Sequence, residues 1–357
     1  MQPNFLLFIT DQQRADHLGS YGNPIVHTPE LDALARRGWS ADRFYVASPI
    51  CMPNRATLMT GRMPSVHGVR HNGIPLSQRA TTFVDRLRLA GYATALIGKG
   101  HLQNMTGKGP VWPPAGSDPS QGEAWTAEPG NYDQEWGPLW RNDPTHDLQT
   151  PFYGFQRVDL AVDHGDQVWG HYERWLARTH PEVRRQWGPE HALPAPGFVL
   201  TEHHQAWRTR VPEECSTTAY LGDQTIRQLR EHAAGKQPFF IQCSFPDPHH
   251  PFTPHGKYWS MYRPEDVALP HSFHASAAPD HRPAPHVAWL YWQRDQRKAV
   301  KHTPAIFACT EREAREAIAL NYGSISHIDA TIGRVLQTLR QTGLDENTVC
   351  LLYTSPS

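Results

Sequence analysis

The sequence predicts an α/β fold, a three-layer sandwich with helices on both faces of a mostly parallel sheet. Three observations predict it. A continuous apolar run, Phe5 to Ile9, stops at Thr10 and Asp11, the pattern of a strand buried on both faces. Helical spacings with caps and stops alternate with further apolar runs along the chain, which is the order of parallel β/α units. Polar residues follow the ends of those runs, where sheets of this kind bind ligands.

The elements follow in order. Thr28 and Pro29 open a helix whose apolar positions are Leu31, Leu34 and Ala35, and Gly38 stops it. A second helix begins at Thr82, buries Phe83, Leu87 and Ala90, and ends at Gly91, before the strand Thr94 to Ile97. Residues 103–210 then break the alternation with Pro113-Pro114 and many Trp. This stretch is expected to be an insertion, either a cap or substrate wall at the sheet edge or simple loop packing. The pattern resumes with a helix from Ser216 to His232 and a strand from Phe239 to Phe245. After the loop-rich stretch Pro251 to Pro304, a long helix from Glu311 to Arg340 precedes Thr348-Val349.

Composition limits the partners. With 357 residues, Lys plus Arg at 34 and Asp plus Glu at 35, the formal charge is -1, which removes the main argument for nucleic acid or acidic membrane. The five Cys are odd in number and widely spaced, unlike a disulfide scaffold. No apolar stretch approaches the ~20 residues of a membrane span. The run from Phe5 lacks a basic leader and is too short for a signal peptide, so a cytoplasmic location is expected.

The residues at the strand ends are Asp11 and Gln12, Lys99 and His101, and His249 and His250. Taken singly, Asp11 reads as a helix cap and each His as a hydrogen-bonded loop residue. Their convergence makes a site. The sharpest local pattern is Cys51-Met52-Pro53-Asn54-Arg55 followed by Thr60-Gly61-Arg62. Cys51 alone would pass for a small buried hydrophobe, but Ala56 to Met59 reads as helix, which places Cys51 near backbone N–H groups that favour an anion.

Together with Thr28-Pro29-Glu30-Leu31-Asp32, His67-Gly68, Gly98-Lys99-Gly100-His101, Phe245 to Phe252 and His327 to Arg334, these motifs resemble the type I sulfatase family of the alkaline phosphatase superfamily. The resemblance spans residues 4–349. It implies that a separate formylglycine-generating enzyme, reading Cys-x-Pro-x-Arg, oxidises Cys51 to formylglycine, whose hydrate attacks the sulfur of a small sulfate ester. One hydroxyl attacks and the other later expels sulfate, which an ordinary alcohol could not do. It further implies a divalent cation, Ca2+, held by Asp11, Gln12 and the modified Cys51. Arg55 would hold the formylglycine, Lys99 the sulfate oxygens, and His101 the proton removed as sulfate leaves. His249 would be the leaving-group acid or a sulfate ligand, with His250 as its substitute. Asn72 would face the substrate or serve a turn.

Two departures from the family pattern matter. Gln12 stands where sulfatases commonly have a second Asp, and a neutral amide lowers the negative charge of the metal site. The family also continues past the last strand into Thr-Ser-Asp-His or Thr-Ser-Asp-Asn and then Gly, supplying two more metal ligands. Here the chain reads Thr354-Ser355-Pro356-Ser357. Residues 1–349 are therefore expected to be an N-terminal catalytic domain. Residues 350–357, whose codons can spell a transposon-based sequencing adapter, are expected to be a non-native tail. Without those ligands the chain as it stands is expected to be inactive, and sulfate ester hydrolysis is expected of the completed protein. A natural truncation is the alternative, and it would leave an inactive anion-binding remnant. Within enzymes the rival is a phosphonate or phosphate monoester hydrolase, against which the Gly-Lys-x-His run tilts the reading to sulfate.

Overall fold

A computed structural model describes residues 2–105, 129–277, 282–301 and 307–355. The strands are β1 (Asn4–Asp11), β2 (Ala93–Gly98), β3 (Arg157–Val162), β4 (Trp169–Gly170), β5 (Phe239–Ser244) and β6 (Thr348–Ser355). The helices are α1 (Pro29–Arg37), α2 (Cys51–Thr60), α3 (Pro64–His67), α4 (Phe83–Leu89), α5 (Gly137–Asn142), α6 (His171–Thr179), α7 (Pro181–Arg184), α8 (Thr217–Ala233), α9 (Pro285–Asp295) and α10 (Glu311–Gln341). The sheet runs β4-β3-β2-β5-β1-β6, parallel except for β4.

Strand alternation builds two cores. Leu6 and Phe8 of β1, with Ala95, Ile97, Ile241 and Cys243, point to one face and meet Leu221 and Leu229 of α8 and Ile325, Ile328 and Ile332 of α10. Leu7 and Ile9, with Leu96 and Phe240, point to the other and meet Met52, Ala56 and Met59 of α2 and Val84 of α4. This is the expected three-layer arrangement. Local chemistry fixes the helix starts: Thr82–Asp85 and Thr310–Glu313 form capping boxes, and the Ser216 hydroxyl accepts the Ala219 N–H. No helix among the described residues is long and apolar enough to cross a membrane.

The stretch 103–210 differs from expectation, because it contributes β3 and β4 to the main sheet instead of standing outside it. Among its described residues, several aromatic rings serve packing. Arg141 stacks over Trp169 at 3.9 Å, Arg184 over Trp187 at 3.6 Å, and Arg174 over Trp140 at 4.4 Å. The last strand is longer than Thr348-Val349: residues 350–355 continue it, pairing with β1 as far as Asp11 opposite Ser355. Backbone pairing needs no particular side chains, so this strand forms whatever the origin of those residues.

The parallel order places the C-terminal ends of β1, β2, β3, β5 and β6 at one edge. Gly98 ends β2 with φ +106°, and an added Cβ there would run into the Ser244 carbonyl oxygen of β5. That same oxygen accepts the Lys99 N–H at 2.9 Å. Gly98→Ala is expected to cost about 3 kcal/mol from strain and overpacking, read as a lower urea midpoint. An unchanged midpoint would mean that β2 and β5 do not approach this closely.

Candidate active site

Asp11, the last residue of β1, is fully buried and is the hub of the site. Its carboxylate pairs with the Lys99 ammonium, meets His164 Nε2 at 3.2 Å, and lies 3.6 Å from a terminal nitrogen of Arg55. Burial alone would push its pKa up, but Lys99, the His164 bond, Arg55 and His249 together hold it well below the usual carboxylate range. Lys99 is itself fully buried and also touches His164 Nε2, at 2.7 Å. Arg55 reaches in from α2, donating to the Lys99 carbonyl and to Ser244 Oγ, both at 2.9 Å. Two buried cations thus share one carboxylate at the strand ends, which leaves positive charge for a tetrahedral anion.

Histidines form the remaining wall. The rings of His164 and His249 stack at 3.7 Å, and those of His249 and His250 at 4.3 Å. His249 Nδ1 bonds the His250 carbonyl, and His250 Nδ1 meets Gln12 Oε1 at 2.8 Å. Burial holds His249 well below the usual histidine range, with the His164 charge adding to it, and pushes His250 down to about 4. His101 has both ring nitrogens buried with no hydrogen-bond partner among the described residues. Burial, then Lys99 and Arg55, hold it well below the usual range, so it is a neutral imidazole.

Cys51 is buried in the first position of α2, as the helical reading of Ala56 to Met59 requires. Asn72 Oδ1 accepts the Met52 N–H at 3.0 Å, so this side chain satisfies one of the open N–H groups beside Cys51. Asn72 lies in a turn, as one of its two expected roles required, and this bond is a further role. Asn54 joins α2 to β6, donating to Ser355 Oγ at 3.0 Å and accepting from the Tyr353 hydroxyl at 2.7 Å.

Two residues of this site are missing from the sequence reading. His164 lies two residues past the end of β3, and the strand-end rule would have found it had β3 been recognised. Glu135 carries its role in bonds to backbone N–H groups, which leave no mark in sequence.

For a metal, Asp11 and Gln12 offer hard oxygens, yet the Gln12 oxygen is engaged by His250. The cluster of possible ligand atoms gathered within 4.8 Å among the described residues is Asp11, His164 and His249. One oxygen and two nitrogens suit a borderline cation better than calcium, which takes six to eight oxygens. The described donors thus accommodate a divalent cation without completing a calcium shell.

The sulfatase family model matches residues 3–355. The chain belongs to the sulfatase family. Among curated sulfatases it is similar to an arylsulfatase of Clostridium perfringens, 27% identical over 98% of this chain and 62% of that one. A choline-sulfatase of Rhizobium meliloti is 25% identical over 98% and 56%. Among solved structures, a phosphonate monoester hydrolase of Agrobacterium radiobacter superposes with a TM-score of 0.68 at 26% identity, covering 99% of this chain and 62% of that one. The chain therefore spans about three-fifths of the length of the relatives it matches. Sulfatases generally use a metal ion and formylglycine, and both bear on the site just described.

Proposed function

We propose that the protein is a sulfuric ester hydrolase of the arylsulfatase type, acting on small sulfate monoesters. The observation that carries this is the buried Lys99–Asp11–Arg55 cluster walled by His101, His164 and His249, with Cys51 at the head of α2. Lys99 and His164 bind the sulfate oxygens, and Arg55 anchors position 51. Conversion of Cys51 to formylglycine by a maturation enzyme would supply a geminal diol, one hydroxyl to attack sulfur and one to release sulfate. Asp11 would hold a divalent cation, joined by Gln12 once its oxygen is released by His250. The family resemblance implies calcium while the described donors suit a more borderline ion. Either would supply charge that favours an ionised hydroxyl at position 51.

The depressed pKa of His101 suits a base that is neutral at pH 7. His249 begins neutral as well, but an incoming anion favours its protonated form. Substrate binding therefore prepares His249, with His250 beside it, to protonate the leaving alcohol.

A second reading, phosphonate or phosphate monoester hydrolysis, is favoured by the similarity to a phosphonate monoester hydrolase. The completed protein, matured by a formylglycine-generating enzyme, is expected to hydrolyse 4-nitrophenyl sulfate faster than 4-nitrophenyl phenylphosphonate. Faster phosphonate turnover would reverse the preference.

A further inference from the structure

The backbone that carries His101 does not hold its own shape. His101 is a non-glycine residue with φ +53°, a left-handed conformation that persists only where surroundings enforce it. One side chain encloses this turn. The fully buried Glu135 accepts the His101 N–H on Oε1 at 2.5 Å, and the Leu102 and Gln103 N–H groups on Oε2, both at 2.7 Å. Three consecutive N–H donors thus converge on one carboxylate, whose two oxygens provide the acceptor sites that three N–H groups need.

The fit is close on every side. A Cβ added at Gly100 would lie 2.6 Å from Glu135 Oε1, so any side chain there would have to displace the carboxylate. The neighbouring Gln134 donates its N–H to Gln103 Oε1 at 3.0 Å, and Gln103 Nε2 donates to the Asn131 carbonyl at 3.1 Å. On the far side the Leu76 N–H bonds the Leu102 carbonyl at 2.8 Å. The loop around Glu135 and the segment 101–103 therefore lock each other, while the His101 ring nitrogens remain without a partner among the described residues.

We propose that Glu135 is the positioning residue for His101: by binding the N–H groups of residues 101–103 it fixes the left-handed turn that sets the imidazole beside Lys99 and Arg55. This rests on the reading of His101 as the base of sulfate release. A glutamine is the same shape but offers one acceptor oxygen, and its NH2 group would confront an N–H donor. The carboxylate is therefore required, and filling the space is not enough.

The test compares the completed protein, matured at Cys51 and carrying the metal ligands that follow the last strand in the family, with its Glu135→Gln and Glu135→Asp variants. In Glu135→Gln, amide exchange at residues 101–103 should accelerate roughly tenfold or more while β2 and β5 keep their protection. The kcat for 4-nitrophenyl sulfate should fall ~100-fold with KM nearly unchanged, the signature of a displaced catalytic group. The acidic limb of the kcat–pH profile, where the base is lost by protonation, should lose definition, and Glu135→Asp should recover part of the loss. Faster exchange with unchanged kcat and pH profile would overturn the proposal, as would unchanged exchange. If Glu135→Gln loses the protection of β2 and β5, Glu135→Asp alone is read by the same criteria. If the wild-type protein turns over no ester, the functional reading fails separately. The His101 ring 15N shifts then decide, and identical shifts in wild type and Glu135→Gln would overturn the positioning role.

Discussion

In the completed protein, Cys51→Ala is expected to abolish ester turnover, with a loss on the order of 10⁴-fold or more, because it removes the only atom from which the nucleophile can be made. The fold should survive. Cys51 acts in the core as a small hydrophobe at the start of α2, and trimming its sulfur costs roughly 1 kcal/mol. The helix start does not depend on it, since Asn72 secures the Met52 N–H and Arg55 is anchored by Lys99 and Ser244. Cys51→Ser should fail as well: an alcohol can attack sulfur, but it has no second hydroxyl whose proton loss expels sulfate. Turnover of 4-nitrophenyl sulfate and the mass of the peptide holding position 51 are the two measurements. Undiminished activity in Cys51→Ala would refute the nucleophile. An unmodified Cys51 together with metal-independent sulfate binding would favour an inactive anion-binding protein.

Much of this site was legible because its residues stand where strands end. Asp11, Lys99 and His249 follow β1, β2 and β5, whose apolar runs are unmistakable. β3 was not, for a physical reason: Arg157 and Asp159 place charges inside the strand, and they are satisfied by Glu231 and Arg227 on α8. An edge-side strand whose charges pair with a covering helix lacks the apolar run of a central one. With β3 hidden, His164 had no strand end to belong to. Glu135 was illegible for another reason, since a carboxylate bound by backbone N–H groups implies no partner side chain that a motif could display. Asn72 shows the same limit: its bond to the Met52 N–H depends on where the chain folds back.

Asp11→Asn should be the most damaging isosteric change to stability. The side chain keeps its volume and can still accept hydrogen bonds, so packing is not at issue. What changes is charge: Lys99 and Arg55 remain buried beside a neutral amide. Breaking a buried pair by neutralising one partner typically costs about 3–5 kcal/mol, because the remaining charge is left uncompensated. A double variant supplies the control. Lys99→Met removes one of the stranded charges, so Asp11→Asn combined with Lys99→Met should lose less stability than the two single losses added together. The pH dependence has a definite sign. Burial would raise the Asp11 pKa, but Lys99, His164, Arg55 and His249 depress it well below the usual carboxylate range. A depressed folded pKa contributes stability that is complete above the unfolded value of about 3.9 and is lost as pH falls through the folded value. The Asp11→Asn deficit in urea unfolding should therefore be equal at about pH 5 and 7 and shrink progressively as pH falls below about 4. A deficit under about 1 kcal/mol at pH 7 would mean that the two cations do not depend on this carboxylate. The site would then have another source of negative charge, and the buried Glu135, close enough to Arg55 to be affected by it, is the group to neutralise next.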